Sequence, residues 1–464
     1  MQITIGSTIT INQPNEAIKK WCKENLIIPN PEYSKKLRMN FWLGNTPATL
    51  SLYEIDGQNY ILPFGCLRSI LRLSNGCPVT TTFHTPTKVD YHASVPLFDY
   101  QETAVDAILP EFYGILQSPA GSGKTQMGIA VITRLNVRTL WLTHTKDLLT
   151  QSMKRAEQYI DKSFMGTITE GKVNIGTGIT FATIQTMCEL DLRNYRDFWD
   201  LVIVDECHRV AGSPTARTQF YTVLNALSAR SKYGLSATVH RSDGMIQATY
   251  ALLGEIIYSV PETAVADKIM KVGIAPIGTE TKLSNACLNT DGTLNYARLI
   301  SYLCEDTTRC RLIVDYIINE KDKSCLILSD RLNHLETLMN MLPKDMRHNA
   351  VMIDGKMTTK TGKVRREQAI EDMRSGKKKY LFATYSLAKE GLDIPRLERL
   401  FMATPQKDYA VVTQSIGRIA RIFDGKKDAI CYDFVDDIRF LFKSYKKRCT
   451  TYRKDNCYFV QDGG

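Results

Sequence analysis

Ser118-Pro119-Ala120-Gly121-Ser122-Gly123-Lys124-Thr125 follows the short apolar run Gly114–Leu116 and opens the helical pattern Gln126–Leu135. Strand, glycine-rich turn and helix, in that order, make a phosphate-binding loop. Glycines let backbone N–H groups converge on phosphate oxygens where a Cβ would intrude. The helix that follows presents the positive end of its dipole. In this reading Gly121, Ser122 and Gly123 form the cradle, Lys124 neutralises phosphate charge and Thr125 ligates Mg²⁺. The strict pattern has glycine where Ser118 stands, an exchange of one small residue for another. The fold class that follows is α/β, a P-loop set on a parallel sheet.

About eighty residues downstream stands Leu201-Val202-Ile203-Val204-Asp205-Glu206-Cys207-His208. Four apolar residues ending in two acids read as a buried strand that delivers carboxylates to its C-terminal edge, where open α/β sheets bind ligands. Asp205 is placed to hold Mg²⁺ and Glu206 to polarise an attacking water. Around these two motifs the chain alternates strand and helix. Short apolar runs recur at Gly114–Leu116, Thr139–Leu142, Ile179–Ala182, Leu201–Val204 and Gly234–Leu235. After a weaker stretch they resume at Cys325–Leu328, Ala350–Ile353, Tyr380–Phe382, Leu400–Met402 and Ala429–Tyr432. That rhythm predicts two αβ lobes in tandem.

The rhythm sets the expected boundaries. Residues 1–92 form a small α+β accessory domain with DNA binding as a candidate role, and 93–260 the first, ATP-binding lobe. Residues 261–308 form a connector, and 309–464 the second lobe with a basic tail. Within the first segment Tyr53–Ile61 reads as a hairpin about Asp56-Gly57. Pro78–Pro96, rich in Pro and Thr, reads as a linker. Lys35, Lys36, Arg38, Asn40 and Trp42 make a basic–aromatic patch, and Lys443–Arg448 a basic run suited to a nucleic-acid backbone.

Bulk composition fits this organisation. The 464 residues suggest about three domains. A net charge of +10 favours a polyanionic partner. None of the 12 cysteines forms a CxxC pair, which reads as reduced thiols in a cytoplasmic protein. The N-terminal sequence MQITIGSTITINQ is no secretory signal, and no apolar run reaches the ~18 residues a membrane span needs. No paired acidic and lysine pattern of a nuclease is present.

Asp205-Glu206-Cys207-His208 resembles the DExH box of superfamily 2 helicases and translocases, and other motifs of that family follow in order. Leu97-Phe98-Asp99-Tyr100-Gln101 is similar to the adenine-reading motif, with Gln101 as base contact; Phe98 stands where members often carry Arg. The stretches containing His144-Thr145 and Thr183-Ile184-Gln185 are similar to strand-gripping motifs. Ser236-Ala237-Thr238 resembles the motif that couples hydrolysis to movement. Ala383–Pro395 is similar to motif V, where Thr384 would touch the nucleic-acid backbone and Gly391 and Asp393 line the ATP cleft. Gln414-Ser415-Ile416-Gly417-Arg418-Ile419-Ala420-Arg421 is similar to motif VI, with Gln414 in coupling. Arg418 and Arg421, spaced by three, are expected on one helix face, and one or both would act as an arginine finger.

The resemblance spans about Leu97 to Asp433 and implies two RecA-like lobes that use ATP and Mg²⁺. Arg241-Ser242-Asp243-Gly244 after the Ser-Ala-Thr motif narrows it to the branch with DNA-repair translocases, phage recombination helicases and restriction-enzyme helicase subunits. Arg241 is a further nucleic-acid contact there, and the compact length suits a phage or bacterial member. The expected function is an ATP-dependent helicase or translocase acting on single-stranded, forked or branched DNA, working as a monomer. The alternatives are an RNA helicase on the same scaffold and an ATP-switched motor subunit of a repair or restriction complex.

Overall fold

The computed structural model describes residues 1–464 apart from 120, 211–213, 238–244, 266–268, 356–359, 390–391, 393 and 461–464. It divides into two units, residues 1–119 with 123–261, and residues 120–122 with 262–464. Each has a mostly parallel sheet with helices, the α/β class expected. Among the described residues no helix is long and apolar enough to cross a membrane.

The first unit holds an eight-stranded sheet. Its spatial order is Lys172–Asn174, Met165–Thr169, Ile179–Thr183, Thr139–Thr143, Leu201–Asp205, Ser231–Ser236, Tyr113–Gln117 and Ile256–Ser259. Only the edge strand Lys172–Asn174 runs antiparallel to its neighbour. Every residue of Thr139–Thr143, Ile179–Thr183 and Leu201–Asp205 is buried. Burial on both faces is why these strands read as continuous apolar runs rather than alternating ones. From Tyr113–Gln117 the chain crosses two places in the sheet to Thr139–Thr143, and the gap is later filled by Leu201–Asp205 and Ser231–Ser236. The carboxyl ends of these strands therefore open at one edge, the place where such sheets bind ligands.

The N-terminal residues form a five-stranded sheet in the order Glu54–Asp56, Asn59–Pro63, Thr8–Asn12, Gln2–Ile5 and Val79–Thr81. The expected hairpin is present, closing at Asp56 and Asn59 with Gly57 at φ +57°. Ile3, Ile5, Ile9 and Ile11 alternate onto one buried face. That core is shared with the RecA-like part of the unit: Tyr113, Met245, Ala248 and Ala251 belong to the same cluster. Gly65 abuts the backbone of Tyr250, Ala251 and Gly254 so closely that no Cβ fits. Lys232 is fully buried and donates to the Ser7 carbonyl at 3.2 Å and the Leu224 carbonyl at 2.7 Å.

Pro78–Pro96, expected to be a linker, is tied to this unit. The Tyr91 hydroxyl donates to the Val137 carbonyl, Lys88 bridges Val137, and His84 pairs with Asp200 at 2.7 Å. Pro and Thr content marks an irregular backbone but says nothing about whether aromatic side chains within it find a core. One part of the N-terminal region does protrude. Ile27–Pro29 pairs antiparallel with Thr49–Ser51, and the helix between them, Pro31–Arg38, buries no residue. Leu37, Met39, Phe41 and Trp42 are exposed there, Trp42 at 89%.

The second unit's seven-stranded sheet runs Ala350–Ile353, Tyr380–Thr384, Cys325–Ser329, Arg399–Met402, Ala429–Asp436, Val272–Thr279 and Tyr458–Phe459. Among the described residues its strands all pair parallel. Val272–Thr279, in the stretch expected to connect the lobes, is thus a strand of this sheet. Strand Ala429–Asp436 carries two carboxylates, each claimed by a buried arginine. Asp436 accepts from Arg309 at 2.6 Å and from Thr279 at 2.7 Å; Asp433 accepts twice from Arg448 at 2.8 Å and from Tyr452 at 2.6 Å.

Candidate nucleotide site

The loop after strand Tyr113–Gln117 ends in the helix Lys124–Leu135. Gly121 and Gly123 have φ of +82° and +81°, the left-handed region that favours glycine. At Gly123 space is a second constraint, because a Cβ would collide with the Gln101 side-chain amide. Gln101 is buried and its Oε1 accepts from the Phe98 N–H at 3.0 Å, closing the start of helix Asp99–Ile108. The expected adenine contact thus lies against the expected phosphate loop. The helix Lys124–Leu135 has no side-chain cap and no acid in its first turn. Its N-terminal N–H groups are left to an anion. Among the described residues Lys124 Nζ makes only long contacts, 3.4 Å to the Ser118 carbonyl and 3.5 Å to that of Pro119. Thr125 is half-buried in the first turn.

Asp205 ends its buried strand and has both oxygens engaged. Oδ2 accepts from Ser152 Oγ at 3.1 Å and Oδ1 from the Glu206 N–H at 2.9 Å. Ser152 sits on helix Lys146–Ala156 and has no sequence signature, since its role arises only from the packing of that helix against the strand end. Glu206 adopts φ +49°, which non-glycine residues rarely do, and such strain gathers at functional sites. Burial and the Glu206 charge push the Asp205 carboxyl up, partly offset by Lys124. For Glu206, burial acts upward but Lys124, His208 and Arg209 outweigh it and hold the carboxylate ionised. Two adjacent acids with oppositely displaced acidities are the pattern of a site in which one carboxylate serves as base.

His208 extends the site. Its Nδ1 is 3.2 Å from Glu206 Oε2 and 3.0 Å from Ser236 Oγ. Ser236 is buried at the end of strand Ser231–Ser236, and its carbonyl accepts from the Ser118 N–H at 3.0 Å. One residue thereby touches the start of the phosphate loop and the histidine beside the base. Ala237 is buried next to it; Thr238 and Arg241 lie outside the described residues. The sequence displayed His208 within its motif, but its position as the link to Ser236 needed the two strands side by side.

The expected strand-gripping residues meet one another. Gln185 donates to the His144 carbonyl at 2.9 Å, and Thr145 caps helix Lys146–Ala156. Thr183 is buried against Thr186 and Thr169. Burial, with the nearby Arg209 and His208 charges, holds the His144 pKa below its ordinary value and so favours the neutral ring.

In the second unit Thr384 ends its strand with its hydroxyl 2.9 Å from Ser386 Oγ. Gly391 and Asp393 lie outside the described residues. Gln414 is buried on helix Tyr409–Ile419, its Oε1 with no hydrogen-bond partner among the described residues, and Arg418 Nη1 donates to the Leu392 carbonyl at 3.0 Å. The expectation of one helix face for Arg418 and Arg421 is corrected: the helix ends at Ile419, and Arg421 lies beyond it, bridged to Ile269.

Residues 94–241 match the model described as "Type III restriction enzyme, res subunit", and residues 308–423 match "Helicase conserved C-terminal domain". The chain is 27% identical over 378 residues to the DNA 3'-5' translocase XPB2 of Sulfurisphaera tokodaii, covering 74% of this chain and 82% of that one. It is 26% identical over 354 residues to the protein of Acanthamoeba polyphaga mimivirus named "Putative ATP-dependent RNA helicase". That match covers 75% of this chain, which spans 65% of the relative's length. Among solved structures, S. cerevisiae Dbp5 bound to RNA and ADP BeF3 superposes with a TM-score of 0.57 at 18% identity, covering 86% of this chain and 94% of that one, a likeness of fold.

Proposed function

We propose that this chain, a member of helicase superfamily 2 by the two domains it carries, is an ATP-dependent DNA translocase that remodels forked or branched DNA. The observation that carries the reading is the chain of contacts from Glu206 through His208 to Ser236 and on to Ser118. It joins the group suited to activate water to the loop suited to hold phosphate, so a change in one is felt at the other.

The residues fit ATP and Mg²⁺. The glycine conformations, the uncapped helix and a lysine with only long contacts suit a polyphosphate. Gly121, Ser122, Gly123 and Lys124 would hold the phosphates, Gln101 with Gly391 and Asp393 the rest of the nucleotide, and Thr125 and Asp205 the metal. Mg²⁺ supplies Lewis acidity to the phosphoryl oxygens. Glu206 takes the proton of the attacking water, and Arg418 and Arg421 stabilise the charge on the departing phosphate. His208 and Ser236, with Ala237, Thr238 and Gln414, pass the change on. His144, Thr145, Thr183, Gln185, Arg241 and Thr384 grip the strand through its phosphates, because a motor has to tolerate any base sequence.

DNA is favoured by the relative named as a DNA translocase, over most of whose length this chain aligns. The exposed Phe41 and Trp42 on the protruding N-terminal element supply aromatic surface for the unstacked bases of a fork. RNA is the second reading, favoured by the relative named as an RNA helicase. The deciding experiment is the ATPase rate with single-stranded, duplex, forked and four-way DNA and matched RNA. Stimulation highest with forked or four-way DNA, and lowered for those substrates by Trp42→Ala, is expected. Stimulation by RNA alone would hand the activity to the second reading.

A further inference from the structure

The last helix of the second unit, Arg439–Lys454, carries seven basic residues and no acid. Its inward face, Leu441, Ser444, Arg448, Thr451 and Tyr452, is buried. Arg448 and Tyr452 lock onto Asp433, and Arg448 also donates to the Gln406 carbonyl at 2.8 Å, so the rotation of the helix is fixed. Among the described residues Arg448 alone of the seven has a carboxylate partner. The outward face is left with Phe442, Lys446 and Arg453 at helical spacing. Opposite them runs the two-residue strand Tyr458–Phe459, paired to Gly273 and Ile274.

Between helix and strand lies a groove of about 610 Å³, within the ~300–1,000 Å³ of ligand sites. Phe442 and Phe459, both exposed, stand in its lining together with Tyr445, Lys446 and Arg453, and among the described residues no carboxylate does. Lys446 Nζ sits 5.2 Å from the Phe442 ring centroid. Cations beside accessible aromatic faces are the chemistry of single-stranded nucleic acid: the cations meet phosphates and the rings stack on bases. A duplex keeps its bases stacked on one another and offers only the first of these contacts.

We propose that this groove is a second, single-strand-specific nucleic-acid site on the C-terminal helix, outside the helicase motifs. It rests on the reading of the chain as a nucleic-acid motor. The test uses the full chain without nucleotide and measures binding of labelled oligothymidylate, and of a duplex of equal length, across a salt series. Lys446→Ala with Arg453→Ala should weaken oligothymidylate binding about tenfold and flatten the slope of log K against log salt by about 1.4, since each single-strand phosphate contact contributes about 0.7. Phe442→Ala with Phe459→Ala should also weaken it about tenfold, leaving the salt slope and the duplex affinity unchanged. All four side chains lie outside the core, and circular dichroism confirms folding; Lys446→Glu alone gives the charge readout should a pair misfold. Wild-type affinity and slope in both folded pairs overturns the proposal. So does a loss confined to the charge pair, which leaves a phosphate track without stacking. If the wild-type chain itself binds no nucleic acid, the motor reading fails and this site with it; binding by wild type that the variants retain sinks only this site.

Discussion

His208 Nδ1 lies 3.0 Å from the Ser236 hydroxyl and 3.2 Å from Glu206 Oε2. A single ring N–H can point at only one of those oxygens at a time, so the ring can report the state of the carboxylate to the strand end. His208→Ala should therefore lower nucleic-acid-stimulated turnover by about tenfold or more while ATP affinity changes little, because the link acts during turnover rather than in binding. Steady-state ATPase with and without DNA, beside nucleotide binding, checks this. Equal losses in the two ATPase rates would leave His208 as a support for Glu206 alone.

Lys124→Ala should abolish hydrolysis, by about a hundredfold or more, with little change in thermal stability. Among the described residues its hydrogen bonds are two long ones to loop carbonyls, so the fold loses almost nothing. Phosphate release and a thermal melt read the two effects separately, and near-normal turnover refutes the assignment of the loop.

Glu206→Gln should bind ATP yet hardly hydrolyse it, as the amide keeps the shape but not the basicity. Arg418→Ala and Arg421→Ala should each reduce kcat far more than nucleotide affinity, as expected of a group that acts in the transition state. Arg418 also donates to the Leu392 carbonyl, so its replacement costs some local order as well. Affinity falling in step with rate would remove the finger role from that residue.

Lys232 sets a pH dependence of stability. Burial depresses its pKa from 10.5 to about 7 in the folded protein. Between about pH 7 and 10.5 the unfolded chain then binds the extra proton, so stability rises with pH across that window and flattens below it. Lys232→Met should remove this rise. Denaturant midpoints at pH 7, 8 and 9 test the sign, and a wild-type midpoint that falls over this range contradicts the shift.

Deleting residues before Leu97 should destabilise the whole first unit. The cut strips Tyr113, Met245, Ala248 and Ala251 of the other half of their core and leaves the Lys232 ammonium without the Ser7 carbonyl. Insoluble protein, or a melting temperature lower by more than about 10 °C, is expected for a loss of several kcal/mol. A soluble truncate with normal DNA-stimulated ATPase would show that the shared core is dispensable.

Much of this was legible in the residues. The phosphate loop and the Asp205-Glu206 pair announce themselves because backbone geometry and metal chemistry admit few residue types there. The buried strands around them are continuous β-branched runs for the reason already given. Val272–Thr279 was hidden because its Gly273, Pro276 and Gly278 have poor strand character. Pro276 is tolerated because strand Tyr458–Phe459 covers only Gly273 and Ile274, leaving the rest an open edge. The end of the helix before Arg421, the Ser152–Asp205 bond and the shared N-terminal core depend on partners far away in sequence, which no local pattern encodes.

The bond from Lys232 to Ser7 joins residues 225 apart in the chain. During synthesis, the hairpin of Gln2–Ile5 and Thr8–Asn12, whose strands pair with each other, leaves the ribosome long before residues 245–251. Its apolar isoleucine face packs early with Ile18, Leu62 and Ile70 but waits for Met245, Ala248 and Ala251 to be complete. At about 5–20 residues per second that wait is on the order of 10–50 s. Until then the core around Ile3, Ile5, Ile9 and Ile11 is incomplete, and exposed apolar surface of this kind is what makes partly made chains prone to aggregate.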